Sequence, residues 1–349
     1  MLRRLPLANP VHRWQREHVE YEPGEAPEVG LEIYEDQTQE ILSANDSPDL
    51  SFRYSINPYR GCAHGCVYCY ARPSHEYLGF GSGTDFERRL VIKPRAPELL
   101  AEAFEKKSWR GELLVLSGNT DCYQPLESSY GLTRACIAVC VEYRNPLHVI
   151  TKSTLVERDA DLLAELAAQG SASVTITIPF WDAATARALE PLVPTPKRRI
   201  ETVRRLRERG IPVSVNIAPL IPGLSDRDIV HILEAAADAG AVSAAMIPLR
   251  LPGSVEPVFV ERLREALPLS AEKVLARVRE MRGGQLNDPR FGNRMRGEGP
   301  YIEAVRLLFD QTARRLGLGT REVGMSEPRP QAQTTFRRPT DKGGQLRLF

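Results

Sequence analysis

LHVITKSTLVERDADLLAELAAQGSASVTITI (147–178) decides the fold. It opens on a β-rich run, LHVITK (147–152), and passes into a stretch with apolar residues at helical spacing (155–168). It stops at Gly170 and re-enters a β-rich run at SVTITI (173–178). Strand, helix and strand in immediate succession make a βαβ unit, whose two strands lie parallel because the connection is too long for a hairpin.

The same rhythm extends in both directions. Upstream stand FRYSI (52–56) and ELLVLS (112–117), with helical periods near 96–107 and 132–143. Downstream stand PVSVNIAP (212–219) and SAAMIPL (243–249), with helical periods near 197–209 and 226–239. Gly170, Gly210 and Gly240 fall where helices stop, and Ser225-Asp226 where one starts. Six such units predict an α/β fold, a partial (β/α)6 TIM-like barrel over 46–255. Eight would close a full barrel, and a flat doubly wound sheet is the competing arrangement. In either, ligands belong at the C-terminal ends of the strands.

The flanks read differently. Residues 1–45 are polar and acidic with scattered Pro and Gly, an extended N-terminal arm. Residues 256–325 form a helical C-terminal extension, with helices over 257–267, 270–282 and 300–316 and an Arg/Gly-rich loop, GGQLNDPRFGNRMRGEGP (283–300), before the last. Residues 326–349 are polar and Pro-rich and read as a disordered tail.

With 46 basic against 45 acidic residues the net charge is +1, so overall charge argues for neither nucleic-acid nor membrane binding. Apolar runs fall short of the ~20 residues that span a bilayer. The start, MLRRLPLANPVHRW, lacks the apolar core of a signal peptide. The expected location is the cytoplasm, away from membranes, where the six cysteines are expected as metal ligands or redox groups rather than disulfides.

Three of those cysteines crowd into GCAHGCVYCYAR (61–72), spaced Cys62-x3-Cys66-x2-Cys69 on the loop after the first strand. Thiolates are soft ligands that suit iron–sulfur clusters and zinc. Three of them hold three corners of a cubic cluster and leave the fourth iron open to a chelating substrate. The pattern also admits a zinc site completed by His64 or a distant cysteine, or a redox pair of Cys66 and Cys69.

Placed on the loop after the first strand of a partial barrel, this spacing resembles the radical SAM superfamily. Cys66-Val67-Tyr68-Cys69-Tyr70 narrows the likeness to spore photoproduct lyase and its DNA-photolyase-like relatives. The flanking NPYRGC (57–62) and YARPSHEYLG (70–79) resemble an uncharacterised bacterial branch of that group, over about residues 50–280. The resemblance implies a 4Fe–4S cluster on Cys62, Cys66 and Cys69, with S-adenosyl-L-methionine chelating the open iron. Reductive cleavage would then give a 5′-deoxyadenosyl radical that abstracts hydrogen from a substrate, with a flavodoxin or ferredoxin as electron donor. It also carries cofactor-contacting roles onto Thr120 and Asp121 after the second strand and Lys152 at the end of the third. Thr175 and Thr177 on the fourth and Ala218 (with Pro219) on the fifth complete the set. Asp121 is otherwise read as a turn residue and the threonines as plain strand formers.

The candidate catalytic residues are Tyr68 and Cys122. The lyases carry a cysteine hydrogen donor where this chain has Gly118, and Cys122 lies four residues on. Cys136 and Cys140, at i and i+4 of a helix, either join Cys122 in a second cluster or line a buried helix face. Gln345-Leu346-Arg347-Leu348-Phe349 resembles the peptide by which bacterial repair and replication proteins hold the sliding clamp, an apolar stretch without use in a core. The Arg-rich stretch 290–296 is expected to offer a phosphate site, and RRLRERG (204–210) a solvated helix face. Three functions compete: a radical SAM enzyme on a nucleic-acid lesion or modification, one on a small molecule, peptide or RNA, and a non-enzymatic zinc or iron–sulfur interaction protein.

Overall fold

The computed structural model describes residues 30–320 and 334–339. Eleven strands lie among the described residues. They are β1 Glu32–Glu35, β2 Leu42–Ala44, β3 Tyr54–Ile56, β4 Tyr59–Arg60, β5 Arg89–Ile92 and β6 Leu114–Leu116. They continue as β7 Leu147–Thr151, β8 Ala172–Thr177, β9 Val213–Leu220, β10 Ser243–Pro248 and β11 Gly319–Thr320. Eight of them form one sheet in the order β11-β10-β9-β8-β7-β6-β3-β2, and β1-β5-β4 form a small separate sheet.

The six expected core strands, β3, β6, β7, β8, β9 and β10, lie side by side in chain order and pair in parallel. Because the order never reverses, every right-handed crossover puts its helix on the same face. A doubly wound sheet needs a reversal. The partial barrel is therefore correct and the flat alternative is not.

Register explains how the two faces differ. Leu114, Leu147, Val174 and Val213 belong to one face, and all four are buried in the main core. That face packs on the helices. Helix Pro196–Glu208, for instance, buries Ile200, Val203 and Leu206, while Arg204 and Arg205 pair outward with Glu201 and Glu157. The expectation of a solvated Arg-rich helix face holds there. The opposite face carries Ser55, His148, Ser173, Thr175, Thr177, Ser214, Asn216 and Ser243. Its polar groups satisfy one another across strands: His148 bridges Ser173 and Thr175, and Ser214 bonds Ser243 at 2.6 Å. The face toward the barrel interior is thus largely hydrophilic.

The arm contributes strands at two places. β2 pairs antiparallel with β3, and β1 pairs in parallel with β5. The helical extension forms Val255–Ala266, Pro268–Glu280 and Pro300–Arg315. Among the described residues no helix is long and apolar enough to cross a membrane.

One expectation needs correction. Residues 334–339, inside the stretch expected to be disordered, lie against the core at the N-terminal ends of the strands. The Phe336 ring stacks on Tyr143 and meets Phe104 edge-on. Thr334 donates to the Gly111 carbonyl (2.6 Å) and Thr335 to that of Arg144 (2.8 Å), while the Arg337 N–H donates to that of Tyr143 (2.9 Å). Gly111 admits the ring: its φ is +74°, and a Cβ there would stand 2.2 Å from that of Phe336. One aromatic side chain with matching backbone partners is enough to dock a stretch whose composition reads as polar.

Candidate active site

The cysteine loop is folded by residues that a spacing argument does not weigh. Gly61 takes φ +71°, and a Cβ there would press on Leu90, His75 and the Phe86 carbonyl at 2.8–3.0 Å, so only glycine fits. Arg72 is fully buried. Its guanidinium donates to the carbonyls of Cys66, Ser82 and Gly83 and pairs with Glu87 at 2.6 Å. From the loop after β6, Gln124 accepts from the Ala63 N–H and donates to the Gly61 carbonyl, both at 3.0 Å. From the segment after β8, Leu189 accepts from the Val67 N–H (3.0 Å) and Leu192 donates to the His64 carbonyl (3.3 Å).

The result places three thiols together at the C-terminal end of β3. Burial pushes the Cys62 thiol well up, with Asp121, Cys66 and Cys69 adding to the effect. Burial likewise raises Cys66 to about 12, and it raises Cys69 against the opposing pull of Arg72. Thiols whose pKa burial raises, set in each other's field, are a donor set that a cationic metal centre would complete. That chemistry fits an iron–sulfur cluster. Among the described residues no three His, Cys, Asp or Glu side chains sit close enough to hold a single ion. His64, the candidate fourth zinc ligand, lies beside Asp121 at 3.6 Å, and burial holds its ring below the usual basicity.

Behind the loop runs a buried polar network. Tyr68 donates to Glu190, and Glu190 pairs with Arg199; all three are at most 5 % exposed. The Lys152 ammonium stands 5.7 Å over the Tyr68 ring. Among the described residues no carboxylate pairs with it. A cation is thus held at the barrel mouth beside thiols.

The other expected residues divide. Asp121 is a hub: its carboxylate accepts from the Thr151 hydroxyl (2.7 Å), the Lys152 N–H (2.8 Å) and the Tyr123 N–H (2.9 Å). It thereby ties the ends of β6 and β7 together beneath the cysteine loop. Thr120 spends its hydroxyl on the Tyr59 carbonyl at 2.8 Å. Thr175 and Thr177 face the barrel interior, the former on His148. Ala218 is half-buried near the end of β9, joined to Pro219 by a cis peptide bond.

Cys122 is enclosed in the core with its thiol against Ser117 and Thr133, and this geometry does not support a hydrogen-donor role. Cys136 and Cys140 are fully buried in the same core, as the helix-face reading expected. A Cβ at Gly118 would stand 2.7 Å from the Ser55 side chain, so the lyase cysteine has no room there unless Ser55 moves. Tyr70, not singled out beforehand, is 52 % exposed and donates to the Gly118 carbonyl at 3.1 Å. Arg72, Gln124, Glu190 and Arg199 were also missed. Arg72 at least lies inside a quoted motif, whereas Gln124, Glu190 and Arg199 carry no local signal.

The sequence profile of the Radical SAM superfamily matches residues 56–236. An uncharacterized protein of Mycobacterium tuberculosis is 37% identical over 265 residues, 75% of this chain and 77% of its own. A radical SAM Nalpha-GlyT isomerase of a Pseudomonas phage is 24% identical over 268 residues, 75% of this chain and 49% of its own. Among solved structures, spore photoproduct lyase complexed with dinucleoside spore photoproduct superposes with a TM-score of 0.56 at 14% identity, covering 82% of this chain and 80% of that one. The chain belongs to the radical SAM superfamily, and it shares its fold with spore photoproduct lyase.

Proposed function

We propose that this chain binds a 4Fe–4S cluster through Cys62, Cys66 and Cys69 and uses it to cleave S-adenosyl-L-methionine reductively. When bound, the cluster supplies the electron that breaks a carbon–sulfur bond of the sulfonium, leaving methionine and a 5′-deoxyadenosyl radical. The carrying observation is the set of three neighbouring thiols at the C-terminal rim, two buried and Cys69 part-buried, with the Lys152 ammonium beside them and no carboxylate paired with it among the described residues.

The chain's residues then have separable tasks. Gly61, Arg72 and Gln124 hold the loop backbone. Lys152 is the cation positioned for the cofactor carboxylate, and Asp121 fixes the turn that places it. Tyr68, locked by Glu190, walls the site against water. Thr175, Thr177 and Ala218 line the approach toward the ribose and adenine. A flavodoxin or ferredoxin is the class of electron donor required.

For the substrate we propose a nucleic-acid lesion or modification. Support comes from the fold shared with a lyase whose structure holds a dinucleoside photoproduct. The Gln345, Leu346, Leu348 and Phe349 peptide, read as a sliding-clamp ligand, lies outside the described residues. It would bring a near-neutral protein to DNA without a basic surface.

The test is anaerobic reconstitution with iron and sulfide, reduction, addition of S-adenosyl-L-methionine, and mass detection of 5′-deoxyadenosine. Product from the wild type and none from C62A, C66A or C69A is expected. Stoichiometric zinc with no 5′-deoxyadenosine would overturn the proposal.

A further inference from the structure

The barrel is not closed: β3 with β2 and β10 with β11 end the sheet on opposite sides of a gap. Two bridges cross it. In one, Asp49 accepts from the Gly292 N–H at 2.8 Å and pairs with Arg294, which also reaches Ser47. In the other, Ser254 donates to Glu76 and Gly253 approaches Pro73, just beyond the cysteine loop. Arg250, two residues past β10, lies between these bridges. It is near enough to Tyr70, Arg294 and Asp49 for each to influence its ionisation.

The arginines around this window are spoken for, with one exception. Arg290 forks onto Asp288 and reaches Glu298 at 3.1 Å, and Arg294 is held by Asp49. Arg282 donates to the carbonyls of Asn293 (2.7 Å) and Leu249 (2.6 Å). The expected phosphate site on 290–296 is thus largely neutralised by its own carboxylates. Arg250 is different. Among the described residues its guanidinium makes one hydrogen bond, to the Met295 thioether at 3.2 Å, and its buried Nε has no partner. Among the described residues no carboxylate pairs with it. A guanidinium carries five donors in a rigid fork, and a half-buried one left on a sulfur bears an uncompensated desolvation cost. An oxyanion held by that fork would remove the cost.

We propose that Arg250 anchors a phosphate of the substrate at the open side of the barrel, opposite Tyr70. This deepens the nucleic-acid reading above and rests on it for the choice of phosphate over carboxylate. The substrate phosphate would sit on the rim across from the thiols, leaving the attached nucleoside to reach inward past Tyr70.

The test is isothermal titration of the full chain with four probes: the dinucleotide TpT, its neutral methylphosphonate analogue, thymidine monophosphate, and S-adenosyl-L-methionine. Arg250→Gln and Arg250→Lys are compared with wild type, and Arg290→Gln serves as a charge-matched control. R250Q is expected to weaken TpT at least about tenfold, the size of a lost charged hydrogen-bond pair, and R250K to recover part of it. Wild type is expected to bind the methylphosphonate as weakly as R250Q binds TpT, a comparison that needs no altered protein. R290Q should match wild type. TpT bound equally by wild type and R250Q would overturn the anchor while leaving the nucleic-acid reading standing. So would loss of S-adenosyl-L-methionine affinity in R250Q with TpT unchanged, which would assign Arg250 to the cofactor. Arg250-dependent binding of thymidine monophosphate without any binding of TpT would keep the anchor and remove the nucleic-acid reading. No binding of any phosphate probe by wild type would overturn the anchor.

Discussion

At the C-terminal ends of the strands two cations, Lys152 and Arg250, stand without a carboxylate ion pair among the described residues, and burial pushes three thiols up. At the N-terminal ends of the same strands charges and polar groups are spent on each other. Trp109 donates to Asn145 at 2.9 Å, and Tyr143 donates to Glu105 at 2.6 Å. Arg338 reaches the Lys106 carbonyl at 2.8 Å, and Phe336 fills the aromatic recess over Gly111. One sheet therefore ends in an under-satisfied rim and a satisfied one. The difference teaches that the fold supplies stability at one end and tolerates electrostatic cost at the other, where a ligand would relieve it.

The sharpest way to break the comparison is to remove the thiols. C62A, C66A and C69A should each abolish 5′-deoxyadenosine formation while lowering the urea midpoint only modestly, since each removes a single sulfur from its hydrophobic cluster and leaves the N-terminal rim untouched. A collapse of the midpoint would show the loop to be structural.

Next comes the buried pair behind the loop. Glu190→Ala leaves Arg199 charged and unpaired in the core and frees the Tyr68 hydroxyl, and should cost about 3–5 kcal/mol in urea unfolding. An effect below about 1 kcal/mol would mean that water compensates the site.

His75, beneath the loop against Phe80 and Phe86, tests the same end by pH. Burial lowers it to about 4 from the ordinary 6.5, and its Nε2 donates to the Arg89 carbonyl at 2.8 Å. The unfolded chain therefore takes up the proton first as pH falls. Stability is intact above pH 6.5 and is lost between there and about pH 4, by up to about 3 kcal/mol. Stability curves of wild type and His75→Gln should converge over that window. Parallel curves would contradict the placement.

At the other rim, Gly111→Ala must bear both a left-handed φ and contact with Phe336, and should cost about 2–3 kcal/mol. In a Phe336→Gly, Thr334→Gly background, which removes both the Cβ at 2.2 Å and the hydroxyl at 2.6 Å, the cost should fall to about 1 kcal/mol, the backbone share alone. Additive effects would mean the ring does not occupy that recess. Smallest of all, Arg290→Gln should lower stability by no more than about 1 kcal/mol, since its guanidinium is exposed although its partner Asp288 is buried.

Much of this was legible in the sequence. The period of strand and helix is written in apolar spacing, so all six core strands were found, and the cysteine spacing marked the loop. What escaped has a common cause. β5 was passed over because a short apolar run inside a loop looks like any other. Glu190 and Arg199 are ordinary surface residue types until folding brings them under Tyr68. Arg250 carries meaning only because no described carboxylate forms an ion pair with it, and an absence of partners is invisible along a chain. The phosphate reading of 290–296 failed for the opposite reason, since its neutralising Asp49 lies far away in sequence. The docked 334–339 segment was hidden by composition, which averages a single decisive Phe into a polar tract.

That docked segment also sets a length scale. Gln345 follows Pro339 by six residues, and a fully extended span of that size covers only about 20 Å. Anything gripping the Gln345–Phe349 peptide would be held within arm's reach of the N-terminal ends of the strands, the rim opposite the thiols. Substrate delivered by such a partner would have to curve around the molecule, or the whole enzyme would have to swing, before the open rim met it.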